Sequence, residues 1–171
     1  YPRYDGAWGD LSCSGWQVCA CETVASTETP APTPTEYGKV YWTSGADRES
    51  YVWVSEMSQF EARSSVLVDT TGYAQGVVVS SNTSTVYFTD NVGKSVWRVD
   101  DDGYDLVQLV DESAAGGAGE PLGIDLWEHA GKLYWADEGG EVRSSTLDGT
   151  DPTTVASTLQ SPTDVAVDKG K

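Results

Sequence analysis

The stretch Lys132–Asp137, KLYWAD, decides how the rest of the chain is interpreted, because it has two counterparts upstream. They are Lys39–Ser44, KVYWTS, and Thr85–Asp90, TVYFTD. The pair of Tyr and a second aromatic residue recurs after 46 residues and again after 47, at positions 41, 87 and 134. Self-similarity at a period of about 40–50 residues is typical of repeat proteins, and it fits a four-stranded propeller blade.

Each copy is a short β-branched and aromatic run, which is typical of a β-strand. Alternation along the third copy places Leu133 and Trp135 on one face and Tyr134 and Ala136 on the other. Both faces are apolar, which favours a sheet covered on both sides over a sheet with a polar outer face. The stretch is therefore predicted to belong to the core rather than to a catalytic site.

From Lys39 onward, each aromatic strand is followed by a second strand, a third strand and a fourth segment that leads into the next copy. The second strands are predicted at Tyr51–Val54, Ser95–Val99 and Glu141–Ser145, the third strands at Ser65–Val68, Leu106–Val110 and Thr153–Ala156, and the fourth segments at Gln75–Val79, Pro121–Leu126 and Pro162–Asp168. No window shows a sustained apolar period of a helix, so the chain is predicted to be all-β.

The composition excludes several classes of partner. The formal net charge is −17 in 171 residues. A polyanion cannot neutralise phosphate groups, so neither nucleic acid nor an anionic membrane surface is an expected partner. Cations, basic protein surfaces and simple solubility remain compatible with this charge. No apolar run approaches the ~18 residues of a membrane span, and none is predicted.

The residues before the repeats are predicted to form two segments. Residues 1–23 form a head that contains aromatic residues and all the cysteines, whereas residues 24–38 form an extended Thr/Pro-rich linker. A disulfide is expected in the head, with one cysteine left for an intermolecular bond. The disulfide candidates are Cys13, Cys19 and Cys21, and the linker is either a bare spacer or O-glycosylated at Thr27, Thr29, Thr33 and Thr35.

Asn82-Thr83-Ser84 is an N-glycosylation sequon with Asn82 as the acceptor. Together with the cysteines it favours an oxidising, secretory route, so an extracellular or cell-surface location is expected. The sequence has neither an initiator Met nor a signal-peptide pattern, and we expect a mature or excised segment.

Four features could carry chemistry, and for each a structural interpretation is favoured. Asp100–Asp105 is a candidate for weak Ca²⁺ binding, but it lacks the end ligands of an EF-hand loop and is expected to be a solvated turn. Ala114–Gly119 is glycine-rich but precedes a strand, so we expect a flexible loop rather than a phosphate site. The only histidine, His129, is expected in an exposed turn. The fourth feature is a set of carboxylates that could converge on a metal as in six-bladed sugar lactonases: Glu120, Asp125 and Asp164.

The repeats also resemble a known family. Tyr87–Asp90 and Tyr134–Asp137 are similar to the YWTD repeat, the class B repeat of low-density-lipoprotein receptors, as are Leu147–Gly149 and Ser161–Asp168. The likeness covers about residues 39 to 168, although Ser44 replaces the motif Asp in the first copy. It implies a six-bladed propeller that binds protein ligands outside cells. It also implies that Asp90 and Asp137 are structural and tie neighbouring blades together by hydrogen bonds.

The number of copies is unusual, because closed propellers have about four to eight blades and only three copies are present. Residues 39–171 are therefore predicted to form an incomplete ring: two complete blades and one whose parts lie at opposite ends of the chain. Either the missing blades belong to a longer protein, or strands pair between chains. The residues that would take part in such strand exchange are Val40, Tyr41, Trp42, Val165 and Val167.

These observations predict an extracellular, non-catalytic structural or adhesive subunit that associates with itself through its blades, into a surface assembly or filament. The alternative is a receptor-type module that binds a protein ligand. A third possibility is a lactonase-like, metal-dependent hydrolase. No bound cofactor is expected beyond weak Ca²⁺, and the expected partner is a second copy or an extracellular protein.

Overall fold

The structure is a computed structural model that describes residues 38–46, 49–57, 63–70 and 72–169. The predicted head and most of the linker, with Cys13, Cys19, Cys21 and the four candidate threonines, lie outside the described residues. Within the described ranges, three antiparallel sheets contain all the strands.

We call the three sheets blades 1, 2 and 3, in chain order. Blade 1 contains β1 (Lys39–Ala46), β2 (Glu49–Glu56) and β3 (Arg63–Thr70), in that spatial order. Blade 2 contains β4 (Ala74–Val79), β5 (Val86–Asp90), β6 (Ser95–Val99) and β7 (Val107–Val110). Blade 3 contains β8 (Pro121–Trp127), β9 (Lys132–Asp137), β10 (Glu141–Thr146) and β11 (Thr153–Ala156), with a 3-10 turn η1 (Glu128–Ala130) between β8 and β9. The predicted all-β architecture, with two four-stranded blades and an incomplete one, is confirmed.

The blades repeat one another in register as well as in strand order. The motif aromatic of each blade faces a fixed position on the next strand: Trp42 faces Trp53, Phe88 faces Trp97, and Trp135 faces Arg143. The last strand of each blade (β3, β7 or β11) pairs with the strand before it, and each of these ladders contains a bulge or a register shift. Equivalent positions can therefore be compared directly between blades.

The core lies between the blades rather than inside any one of them. Val86 and Phe88 of β5 pack against Val52 and Val68 of blade 1, whereas Tyr87, on the other face of β5, packs toward blade 3. All five residues of β5 are buried. This sheet is covered on both sides, as the alternating apolar pattern predicts. Blade 3 contributes Ile124, Leu126, Leu133 and Trp135 to the second interface.

The inner strands β4 and β8 approach each other closely where the blades converge. A Cβ atom on Gly76 would lie 2.7 Å from the carbonyl oxygen of Leu122 and 2.9 Å from the amide nitrogen of Ile124. Any side chain would therefore collide with backbone, which explains why glycine occupies this position.

The segment Pro162–Asp168 was predicted as a fourth-type segment like β4 and β8, yet the structure shows no strand there. Its chain is nevertheless beside β8, because the amide of Gly123 donates a hydrogen bond to the carbonyl of Thr163 at 3.0 Å. The segments β4 and β8 are strands because each forms a hydrogen-bonded ladder with the aromatic strand that follows it, β5 or β9. Among the described residues, no further aromatic strand follows Pro162–Asp168 to pair with it in the same way.

Candidate assembly surface

The face of blade 1 that carries Val40 and Trp42 is exposed, whereas the equivalent faces of blades 2 and 3 are buried. Val40 is 43% exposed and Trp42 is 36% exposed. The equivalent residues of blade 2, Val86 and Phe88, are 0% and 1% exposed, and the equivalents in blade 3 are also fully buried. The difference arises because blades 2 and 3 each pack this face against the preceding blade. In the described part of the chain, no blade covers it on blade 1.

Aromatic rings form the centre of this exposed face. Trp42 stacks on Trp53 with ring centroids 6.1 Å apart and an interplanar angle of 6°. Tyr51 contacts Trp53 edge-on, at 5.7 Å and 61°. The buried counterpart in blade 2, Phe88 on Trp97, has nearly the same geometry, at 6.4 Å and 8°. Blade 1 therefore presents to solvent an aromatic arrangement that blade 2 uses inside an interface.

Ser44, which replaces the motif Asp, has a hydrogen-bond donor beside it. The indole N–H of Trp53 donates a hydrogen bond to the Ser44 hydroxyl at 2.8 Å. In blade 3, the corresponding positions hold Arg143 and Asp137, and the guanidinium Nε donates to the carboxylate at 2.7 Å. Blade 2 keeps the motif carboxylate opposite an indole, and there the Trp97 indole donates to the Ser95 hydroxyl at 2.7 Å instead.

The opposite end of the blade stack, on blade 3, is also partly open. Tyr134 and Val142 are half-buried and Val155 is 56% exposed. The blade 2 counterparts of the first two, Tyr87 and Val96, are 4% and 0% exposed, because they pack on blade 3. The segment beyond β11 keeps Val165 and Val167 half-buried.

Asp125 holds this last segment in place. Its carboxylate accepts hydrogen bonds from the amides of Val167, at 2.8 Å, and Leu126, at 2.7 Å, and pairs with the Lys169 ammonium at 3.3 Å. Burial alone raises the pKa of the Asp125 carboxyl, but these amides and Lys169 outweigh it and lower the pKa below its ordinary value. The ionised carboxylate therefore favours this position of the segment.

The two motif carboxylates, Asp90 and Asp137, bind the connection that arrives from the preceding blade. Asp90 accepts hydrogen bonds from the amides of Tyr73, at 2.7 Å, and Gly93, at 2.8 Å. Asp137 likewise accepts from the amide of Glu120, at 3.1 Å. Tyr73 and Glu120 directly precede the inner strands β4 and β8. That these carboxylates link the blades stays a prediction.

Asp137 is 3% exposed and also forms an ion pair with Arg143. Burial raises the pKa of its carboxyl, but the amides of Gly139 and Glu120 and the Arg143 guanidinium more than offset burial, so the pKa lies below its ordinary value. Arg143 also donates to the carbonyl oxygens of Gly116 and Gly117. This network was not predicted, because nothing in the sequence places Arg143 beside a loop more than twenty residues upstream.

Two direct hydrogen bonds between blades come from threonines that the sequence analysis did not single out. The Thr43 hydroxyl donates to the carbonyl of Gln75 at 2.8 Å, and the Thr89 hydroxyl donates to the carbonyl of Leu122 at 2.5 Å. Thr is the third letter of the YWTD motif in both copies, so the motif itself was the available signal.

Asn82 lies in the exposed turn between β4 and β5. Its side-chain amide donates to Glu128 of blade 3 at 3.0 Å, and the Ser81 hydroxyl donates to the same carboxylate at 3.0 Å. The predicted glycosylation site is therefore accessible, and it adjoins a contact between blades 2 and 3.

The other candidate features do not come together as a reactive site. The axial cleft of about 500 Å³ is lined by Asp125 and Asp164 from neighbouring inner segments, while Glu120 pairs with Lys94 at 3.6 Å. Among the residues with described positions, no three His, Cys, Asp or Glu side chains are grouped closely enough to hold a metal. His129 is exposed, as expected, and Asp101 of the acidic turn binds Lys39 of blade 1 at 2.7 Å.

The glycine-rich loop Ala114–Gly119 was expected to be flexible, but it is packed. Ala118 is fully buried, and its carbonyl accepts a hydrogen bond from the Trp135 indole at 2.9 Å. The glycine content of the loop predicted flexibility, because composition alone does not show these tertiary contacts. Within the described ranges, no helix has the length and apolarity to cross a membrane.

No known protein-family profile and no curated protein matches the sequence. Solved structures do match the fold. The chain is similar to a structure in the nidogen/laminin complex, with a TM-score of 0.60 and 16% identity over 71% of this chain and 45% of that one. It is also similar to a TolB-like protein from Agrobacterium tumefaciens, with a TM-score of 0.59 and 16% identity over 73% of this chain and 48% of that one. The chain thus spans less than half the length of these structures.

The similarity to these structures and the three radially packed sheets define the class: the described part of the chain is a segment of a β-propeller. At such low identity the comparisons establish the fold alone.

Proposed function

We propose that this chain is an extracellular, non-catalytic structural or adhesive subunit that associates with further copies of itself through its propeller blades. The observation that best supports this is the exposure of Val40 and Trp42 at positions that are fully buried in the other blades. An edge strand with an apolar face is a template for the addition of another strand and sheet. The segment that contains Val165 and Val167 lies beside β8, and within the described ranges it forms no ladder with an aromatic strand.

Multi-angle light scattering across a range of concentrations tests this proposal. The wild-type chain is expected to form a species larger than one chain, and Val40→Asp is expected to shift it toward the monomer, because a carboxylate at the interface would be desolvated. Val92→Asp is the matched control, since Val92 is 69% exposed on a turn of blade 2. A wild-type chain that stays monomeric at every concentration would contradict the proposal.

The non-catalytic part of the proposal is supported by what the candidate carboxylates contact. Asp125 is bound by Val167, Leu126 and Lys169, and Glu120 pairs with Lys94. Both therefore have structural partners. Assays of lactone hydrolysis with and without added Ca²⁺ are expected to show no turnover, and Ca²⁺-dependent hydrolysis that Asp164→Asn abolishes would contradict this part.

A receptor-type module that binds a different protein is the second candidate. It is supported by the cluster of the exposed Trp42 with the half-buried Trp53 and Tyr51, since such rings are favoured at the centres of protein interfaces. The fold similarity to a structure solved in the nidogen/laminin complex is compatible with it. A monomeric chain that binds a soluble extracellular protein, and loses that binding with Trp42→Ala, would favour this candidate over self-association.

The secretory features are part of the same proposal. The exposed turn position of Asn82 supports N-glycosylation, whereas the disulfide and the O-glycans concern residues outside the described part. Expression in a secreting eukaryotic cell is expected to give a chain that loses mass on treatment with an N-glycosidase, and Asn82→Gln should abolish that loss.

A further inference from the structure

We propose that a cavity between blades 1 and 2 binds an arginine side chain presented by a partner protein. The inference goes beyond the self-association proposed above and does not depend on it, because the cavity is formed by residues of a single chain. Blade 3 holds a guanidinium of its own at the equivalent place, and the two blades can be compared position by position.

The cavity is acidic and aromatic. Its volume is about 180 Å³, and none of the described residues that line it is basic. Its walls include Val68, Asp69 and Thr70 of blade 1 and Phe88, Asp90 and Trp97 of blade 2. Pockets for drug-sized ligands measure roughly 300–1,000 Å³, so this cavity suits a single side chain rather than a larger ligand.

In blade 3 the chain itself supplies the cation at this place. Arg143 occupies the position that Trp97 has in blade 2. Its guanidinium binds the Asp137 carboxylate at 2.7 Å, and it also donates to the carbonyl oxygens of Gly116 and Gly117. One carboxylate and two loop residues therefore form a guanidinium site within the fold.

The same three positions line the cavity of blade 2. Asp137 accepts a hydrogen bond from the amide of the residue before β8, and Asp90 accepts one from the amide of the residue before β4. Counted back from these two amides, the glycines that bind Arg143 correspond to Asp69 and Thr70. Blade 2 thus retains the positions that bind the guanidinium, but an indole stands in place of the arginine.

Asp90 is the buried anion of the cavity. It is 5% exposed, and the amides of Tyr73 and Gly93 both donate to its Oδ1. Asp137 likewise uses Oδ1 for its amides, and Arg143 binds its Oδ2. Among the described side chains, no Lys or Arg forms an ion pair with Asp90. A cationic donor would form a charge-assisted hydrogen bond with this carboxylate.

The aromatic walls favour a guanidinium over an ammonium. Phe88 stacks on Trp97 with ring centroids 6.4 Å apart and an interplanar angle of 8°. A planar guanidinium can stack on such a ring while its N–H fork binds a carboxylate, whereas an ammonium is a compact and strongly hydrated charge. The net charge of −17 also attracts basic protein surfaces. The occupant that fits is therefore an exposed arginine of a basic partner.

NMR titration of the full 171-residue chain with N-acetyl-arginine methylamide tests the inference. The signals to follow are the indole N–H of Trp97 and the amide of Gly93, which lie in or beside the cavity. Both are expected to shift in a saturable way with this capped arginine. Capped citrulline, which has a similar shape and no charge, should cause no saturable shift, and capped lysine should bind about tenfold more weakly or worse.

Two substitutions locate the site. Asp90→Asn keeps an oxygen for the two amides but removes the charge, so it should weaken binding of capped arginine by about tenfold or more. Asp151→Asn is the matched control, since Asp151 is exposed on a turn of blade 3, and it should leave binding unchanged. Trp97→Arg should place a guanidinium of the chain itself in the cavity, as in blade 3, and should abolish the shift at Gly93.

No saturable shift in the wild-type chain, or equal shifts with capped citrulline, would overturn the inference. Equal binding of capped lysine would overturn arginine as the occupant, and unchanged binding in Asp90→Asn would overturn the site. If Asp90→Asn does not fold, retained binding in Trp97→Arg would overturn the site instead. A chain that binds capped arginine but stays monomeric in light scattering would contradict the proposed self-association and leave this inference intact.

Discussion

Trp42 and Trp135 occupy the same motif position in blades 1 and 3, so replacing each by Ala separates folding from assembly. Trp135 is 0% exposed between blades 2 and 3, and its indole donates to the carbonyl of Ala118 at 2.9 Å. Trp42 is 36% exposed on the open face. If that face is an interface between chains, Trp135→Ala should reduce the free energy of unfolding of one chain, whereas Trp42→Ala should mainly weaken association.

The magnitudes follow from burial. Trp135→Ala should cost about 3–5 kcal/mol of unfolding free energy, as is usual for a fully buried Trp. Association through the open face would cover roughly a third of the Trp42 side chain, or about 50–90 Å², which corresponds to about 2 kcal/mol. For an interface that buries one copy of this residue, Trp42→Ala should therefore raise the Kd of association by roughly thirtyfold.

Urea unfolding measures the first effect, in a Val40→Asp background that holds the chain monomeric, and sedimentation equilibrium measures the second. Equal unfolding costs for the two substitutions would contradict the assignment of Trp42 to an open face. An unchanged Kd in Trp42→Ala would contradict the assignment of that face to an interface between chains.

Further predictions concern the inner strands, the carboxylates and the charge. Gly76→Ala should cost about 1–3 kcal/mol of unfolding free energy, since its Cβ atom would meet backbone, and urea unfolding measures this. The pKa of Asp137 is lower when folded, so its ionised form stabilises the fold above the unfolded pKa of about 3.9. This contribution should be lost as pH falls through the folded pKa, and Asp137→Asn should flatten the pH dependence of unfolding on the acid side of that unfolded pKa. Asp125→Asn should speed hydrogen exchange at the amide of Val167, which donates to that carboxylate. Because each chain carries a net charge of −17, the Kd of self-association should fall as salt rises from about 0.01 to 0.15 M, and a Kd that rises instead would show that attraction between charges dominates.

The sequence was sufficient to predict the blades because their pattern is dense and local. The pair of Tyr and a second aromatic residue recurs after 46 and 47 residues, and this repeat locates one strand in each blade and shows which of its residues are equivalent. The expected division of β9 into two faces is also seen, since Leu133 and Trp135 lie in the interface with blade 2. Such contacts are predictable because successive side chains of a strand point to opposite faces of the sheet, so the position in the sequence gives the face.

The parts that were not predicted depend on partners that are distant in sequence. Pro162–Asp168 has the composition of an inner strand, but a strand needs a hydrogen-bonded neighbour as well as composition. The loop Ala114–Gly119 has the composition of a flexible linker, yet Trp135 and Arg143 bind its carbonyl groups. Likewise, the hydrogen bond from the Trp53 indole to Ser44 joins two strands and is not evident from the sequence.

We propose that the open faces of blades 1 and 3 are halves of one kind of interface between chains. Native mass spectrometry of the unmodified 171-residue chain tests this proposal most directly, because the mass of the particle counts the copies. We predict a species of at least twice the 18.3 kDa of one chain, and reversion to single chains in Val40→Asp but not in Val92→Asp. Single chains of the unmodified protein at every concentration would contradict the proposal.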